Sequence, residues 1–191
     1  MAGEIQLNGT SFASESGGTI TVNNGTIGSG VLFPAGHVLQ VVHTETSETN
    51  TLDTTYTNYY EVPLTLKSNS SDVIVSFTVQ WNIVNSDSGF GIQIYRKNST
   101  GVTTSDTAVW TKNPTNPSIG PFAEYSSQNT MYGVTSITGK DSLTGLNAGD
   151  TIYYALFARA FQSDDIIYFP TDVSDTSDDG FFSSLIMEVQ K

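Results

Sequence analysis

Cysteine is absent from the 191 residues, so no disulfide, thiolate nucleophile or cysteine zinc site is available. Basic side chains are scarce as well: seven Lys and Arg stand against nineteen Asp and Glu, a formal net charge of -12. Phosphate binding needs clustered Lys and Arg, and these seven are scattered, which argues against nucleic acid as a partner. No stretch reaches the ~18 apolar residues of a membrane helix. The opening MAGEIQLNGTSF has neither a basic n-region nor an apolar run, so the expectation is a soluble cytosolic product without membrane insertion. Leucine, alanine and lysine are sparse too, and no window carries a capped 3.6-residue period.

What fills the chain instead is Thr, Ser and Asn, roughly a third of the residues, a bias toward half-solvated strands and their turns. VIVSFTVQW places Val73, Val75, Phe77, Val79 and Trp81 on one face, and FGIQIYR alternates Phe90, Ile92 and Ile94 against Gly91, Gln93 and Tyr95. The linker NIVNSDSG between them suits a hairpin loop. YYEVPLTLK sets Tyr60, Val62, Leu64 and Leu66 inward with Pro63 on the other parity, which reads as an edge strand or a strand end because proline cannot donate to a ladder. TIYYALFARAF, after the turn NAGD, is bulky on both faces and reads as a central strand; SLIMEVQ closes the series. Eight or so strands spaced by turns predict an all-β, antiparallel β-sandwich of the jelly-roll type over residues 37–191.

Residues 1–36 are different. Two NGT turns, SESGG and IGSG surround a single short strand candidate, GTITV, with few large apolar side chains, so this segment reads as an extended arm that gains order by docking on another chain. The four N-x-[ST] sequons, at Asn8, Asn24, Asn69 and Asn98, are what so Ser- and Thr-rich a background yields by chance.

Candidate sites are few. His37 and His43 sit six residues apart in FPAGHVLQVVHTE. On a strand they share a face with Leu39, Val41 and Glu45, but at ~3.3 Å per residue the imidazoles stand about 20 Å apart, too far for one metal. In DTSDDG, Asp175, Ser177, Asp179 and Gly180 match positions one, three, five and six of a calcium loop. Position twelve is Ile186, and the only nearby acid is Glu188, so a solvated acidic loop is the stronger reading of Asp175 and Asp179. With no cysteine and both histidines read as strand residues, a Cys or Ser nucleophile activated by His is hard to assemble; a Ser-Lys pair or paired carboxylates stay open, but Glu61, Glu124 and Asp141 are carboxylates that any acidic β protein supplies. The expectation is therefore no enzyme and no cofactor. Trp110 precedes the proline-rich loop NPTNPSIGPF, and Phe122 and Tyr125 end or follow it; together these rings are candidates for contact with a glycan or receptor, or covers for the sandwich ends.

The order of LNGTSFASESGGTITVNNGTI, FPAGHVLQVV, YYEVPLTLKSNSSDVIVSFTVQW, FGIQIYRKNST, GDTIYYALFAR and SSLIMEVQK resembles a family of short virion structural proteins of tailed bacteriophages, common among marine phages. The resemblance spans nearly the whole chain and is carried by PAGHVLQV, SSDVIVSF, IYRKNST and LIMEV, patterns that are specific only in combination. It implies a β-sandwich on the particle surface, in a fibre, a tail-associated protein or a capsid decoration, usually trimeric, contacting other virion proteins and assembled in the host cytoplasm. It brings no catalytic residues. With only some thirty-six residues ahead of the sandwich, a compact appendage is expected over a long fibre. Two further classes remain open: a carbohydrate- or receptor-binding module, and a hydrolase of host polysaccharide.

Overall fold

A computed structural model of the chain describes residues 35–47, 50–84, 88–110, 131–163, 166–169 and 180–191, and the backbone of the strands at 4–7, 10–16, 19–22 and 122–126. Two units divide it, Met1–Phe33 and Pro34–Lys191.

The first unit is a three-stranded antiparallel sheet, with β1 (Glu4–Leu7), β2 (Thr10–Ser16) and β3 (Thr19–Val22) in that order. The single strand read from GTITV corresponds to β3; the two before it are short and polar, and their pattern is too thin to register as period two.

The second unit runs β4 (Val38–Thr46), β5 (Asn50–Thr51), β6 (Thr57–Thr65), β7 (Ser71–Ile83), β8 (Ser88–Lys97), β9 (Thr107–Trp110), β10 (Phe122–Ser126), β11 (Met131–Ser142), β12 (Thr151–Ala160), β13 (Ile167–Phe169) and β14 (Phe182–Gln190). There is no helix among the described residues. All pairings are antiparallel, and they build two sheets packed as a β-sandwich. One sheet carries β4, β14 and β7 in order, with β11 on β7 and the short β13 and β5 extending beside β7; the other carries β6, β12 and β8, with β9 and β10 both on β8.

Alternation decides which side chains enter. Along β7 the odd positions Val73 to Ile83 are buried and the even positions are not, until Asn82. The core they form with Val62, Leu64, Ile92, Ile94, Ile152, Leu156 and Ile186 is stitched between sheets by rings. Tyr60 of β6 stacks on Phe182 of β14 at 5.6 Å and meets Phe77 of β7 edge-on at 5.9 Å; Phe90 of β8 meets Trp81 at 5.4 Å. Each such ring, fully buried, contributes about 1.5–3 kcal/mol. β6 is an outer strand paired only with β12, as Pro63 foretells, and β12 lies between β6 and β8 with both faces covered. Its outward Ala155 and Phe157 pack with Tyr95 under Val102, in a second, smaller cluster.

Two local expectations are corrected. β7 and β8 do not form a hairpin: they belong to different sheets, so the NIVNSDSG connection crosses the sandwich. Period two reports the face a strand buries, and that is identical for a hairpin and for an arch between sheets. In β4 the register skips Leu39 between Gln40, opposite Glu188, and Val38, opposite Val189. This bulge takes His37 and Leu39 out of phase with Val41, His43 and Glu45, which keep their common outward face.

Candidate functional site

The three aromatic candidates fall along one border of β8. Trp110 stands opposite Ile94, Phe122 opposite Ile92 and Tyr125 opposite Gly89. Residues 111–121 between them lie outside the described residues. Trp110 is half-buried and packs against the main core, because β9 closes the sandwich over Gly139 of β11: a Cβ there would come within 3.2 Å of the Trp110 Cβ. This indole therefore has a structural task, whatever else its free edge touches.

Asp175 and Asp179 lie outside the described residues. Glu188, the acid nearest the missing twelfth calcium position, is turned into the sandwich and fully buried. Its Oε1 accepts from the Ser68 amide at 3.0 Å and the Ser71 hydroxyl at 2.9 Å, and its Oε2 from the Lys67 amide at 2.9 Å and Gln40 Nε2 at 2.6 Å. The carboxylate holds the β6–β7 connection to β14 and β4, with every partner a donor. Among the described residues no group of three or more His, Asp or Glu is placed to hold a metal. His43 Nε2 lies 3.4 Å from Glu45 and 3.1 Å from Ser183 Oγ on the exposed outer face, and His37 precedes the bulge at the start of β4.

The other carboxylates are engaged as well. Glu61 accepts from the Gly101 amide at 3.1 Å, the Val102 amide at 2.9 Å and Asn58 Nδ2 at 3.0 Å, so it clamps the 98–106 loop over the Tyr95–Phe157 cluster. Asp141 of β11 accepts from the Tyr154 hydroxyl at 3.0 Å and lies 2.5 Å from Arg96 Nε of β8, a charge contact between sheets without hydrogen-bond alignment of that N–H. Burial pushes the Asp141 carboxyl above its ordinary value against the pull of Arg96, and burial together with the Asp141 charge pushes the Tyr154 hydroxyl far up. Tyr154 therefore stays protonated and donates. Glu124 sits opposite Phe90 in β10. Glu61 and Asp141 thus serve partners within the chain, whereas a general acid or base must reach a proton on a substrate.

A shallow polar basin of about 600 Å³ opens at the end of β8, lined by Arg96, Lys97, Asn98, Ser99, Ser105, Asp106 and Thr107. Its two cations face Asp141 and Asp106, the latter 3.6 Å from Lys97. Hydrogen bonds from Thr103 pull the Asp106 carboxyl below its ordinary value. The basin can hydrogen-bond a hydroxylated ligand but offers little net charge. Sequence reasoning missed it, since the ends of β8 and β9 meet there only through a connecting loop without period. Glu188 had a signal that went unused: in LIMEV it shares the parity of the buried Ile186.

Comparison with known proteins matches the chain to no protein-family model and to no curated protein.

Proposed function

We propose that the chain is a non-enzymatic structural protein of a tailed-bacteriophage virion, displayed on the particle surface as a compact fibre, tail-associated or capsid decoration protein. The segment 1–36 anchors it to other virion proteins, and the sandwich of residues 37–191 faces outward as part of a homotrimer. The observation that carries this reading is the use of the described buried carboxylates: Glu188 and Asp141 hold strands and connections together, as a scaffold requires. The strand order supports the jelly-roll form of the sandwich. Numbering the eight long strands by sequence, with β9 and β10 together as one, the first, eighth, third and sixth share one sheet and the second, seventh, fourth and fifth the other. The separate unit Met1–Phe33 agrees with an appendage that docks by its N-terminal segment. The net charge of -12 keeps such particles apart in solution.

Deletion of residues 1–34 tests the anchor. Purified particles then lack the sandwich while the free domain accumulates in the lysate; incorporation at wild-type levels refutes docking by this segment. A second reading, a receptor- or carbohydrate-binding module, is favoured by the polar basin beside Lys97 and Asp106 and by the aromatic positions along β8. Cell binding that falls on Asp106→Ala, with incorporation and melting unchanged, would make adhesion the main activity. Release of sugar from host polysaccharide by the purified chain would contradict both readings.

A further inference from the structure

We propose that copies of this chain associate through the outer face of the sheet formed by β4, β14, β7 and β11. It rests on the functional reading only for the expectation that copies of the chain self-associate.

The two sandwich faces are finished differently. On the β6–β12–β8 sheet the outward side chains Tyr95, Ala155 and Phe157 lie under the 98–106 loop, which Glu61 fastens through the Gly101 and Val102 amides. On the other sheet no described residue covers the outward side chains. Val41, Tyr132 and Val134 are 54%, 56% and 59% exposed, and Leu185 is 40% exposed. Register places Val41, Met187 and Ile74 side by side, with His43, Leu185, Ser76 and Thr138 in the next row; Val134, opposite Gln80, and Tyr132, opposite Asn82, stand toward the other end of β7.

Three pairs of polar groups on this face already bond one another. Thr78 and Ser136 hydroxyls meet at 2.6 Å, Ser76 and Thr138 at 3.0 Å, and His43 reaches Ser183 at 3.1 Å. A partner can cover them without stranding a donor or acceptor, which removes the penalty of about 1–3 kcal/mol that each unmade bond would cost. Charge selects the partner. The face and its rim carry Glu45 and Asp72 against Lys140 and Lys191, the last three joined by contacts of 2.7 and 3.3 Å. Two acids and two bases sum to zero, so the -12 of the chain resides elsewhere. Copies of so acidic a chain repel at every surface that carries that excess and approach at least cost where it is missing, while a basic partner is drawn away from this face.

The size also fits. The outward positions of β7 from Asp72 to Gln80 span about 27 Å, and four strands are about 15 Å wide between outer backbones. With side chains the footprint is roughly 500 Å², the scale of the ~800 Å² of accessible surface that one partner gives to a standard interface.

Sedimentation velocity on the purified full chain at micromolar concentration tests this, beside the double variant Val41→Glu with Leu185→Glu and a control, Thr100→Glu, in the exposed turn after β8. Wild type and control sediment as an oligomer; the double variant dissociates, with a dissociation constant raised at least tenfold and an unchanged circular dichroism spectrum. A monomeric wild type, or a double variant that still associates, overturns the proposal. So does a double variant that remains oligomeric while residues 1–33 become newly sensitive to protease, because the first unit would then be what covers this face. If the double variant misfolds, the milder Val134→Lys, at an open position of β11, decides in its place. The assay uses no particles, so a monomer that nonetheless enters virions sinks this proposal alone, and an oligomer that never enters them sinks the virion reading alone.

Discussion

Replacing Glu188 by Gln changes one atom of the carboxylate and removes its charge, and the sandwich gives that change nowhere to go. Every group around the carboxylate is a donor: the Lys67 and Ser68 amides, the Ser71 hydroxyl and Gln40 Nε2. In the Glu188→Gln variant the new side-chain oxygen can accept from one side only, and the NH2 beside it confronts donors. In the cheaper orientation the bond from Gln40 is lost and the Lys67 amide keeps only its 3.1 Å bond to Oε1. A hydrogen bond to a charged group contributes about 1.5–3 kcal/mol, so the loss is about 1.5–3 kcal/mol. Rotation of the Gln40 amide offers an escape, but the same Nε2 donates to the Thr65 carbonyl at 2.7 Å, and turning it forfeits that bond. For a chain of this size about 2–4 °C of Tm follows each kcal/mol, so Glu188→Gln lowers the melting midpoint by about 3–12 °C. Calorimetry at neutral pH measures it, with urea titration to check that the m-value is unchanged. A drop smaller than about 2 °C, less than a single kcal/mol, would refute the view that this carboxylate locks the β6–β7 connection.

Three other outcomes are expected. Gly133→Ala drives a Cβ into Cζ2 of Trp81, so the indole must leave its bond to Thr135; urea unfolding should show a loss of about 1–3 kcal/mol with a shifted Trp emission, and an unchanged midpoint contradicts the close approach. The hydrogen bond from Lys140, aided by Lys191 and Ser142, holds the Asp72 carboxyl below its ordinary 3.8, whereas burial holds Asp141 above 3.8. The stability that Asp72 adds is present above pH 3.8 and lost as pH falls through its folded value; that of Asp141 is full below pH 3.8 and lost as pH rises through its folded value. Urea midpoints from about pH 3 upward, wild type minus Asp72→Asn and wild type minus Asp141→Asn, should therefore slope in opposite directions, and parallel slopes would be inconsistent with these placements. Melting with and without a calcium chelator should give the same midpoint; a fall of several degrees with chelator restores the acidic loop around Asp175 and Asp179 as a calcium site.

The elements were more legible than their partners. Val73 to Trp81 alternate so regularly that burial of their odd positions could be read directly, and Pro63 marked β6 as an outer strand. Pairing across the sandwich left no such trace. The same alternation serves β7 whether β8 is its hairpin partner or lies in the opposite sheet, and the bulge at Leu39 is one unpaired residue in a strand of mixed polarity. The site was harder still. His37 and His43 drew attention by residue type, yet the residues that organise the interior are Glu188, Glu61, Asp141 and Arg96, whose roles depend on amides and hydroxyls up to about 120 positions away. Sequence distance hides such bonds because the donors are backbone groups, which every residue but proline supplies. Residue type misleads in the same strand: Leu185 is apolar and lies outward, while Glu188 is charged and lies inward.

Membership of a virion is tested most directly by quantitative peptide mass spectrometry on particles banded to constant density from a culture producing the chain. The chain should co-band with the major capsid protein at a fixed stoichiometry, and residues 37–191 should be labelled from outside on intact particles. Recovery only in the soluble fraction, or in particles at trace and variable amounts, would contradict a structural role in the virion.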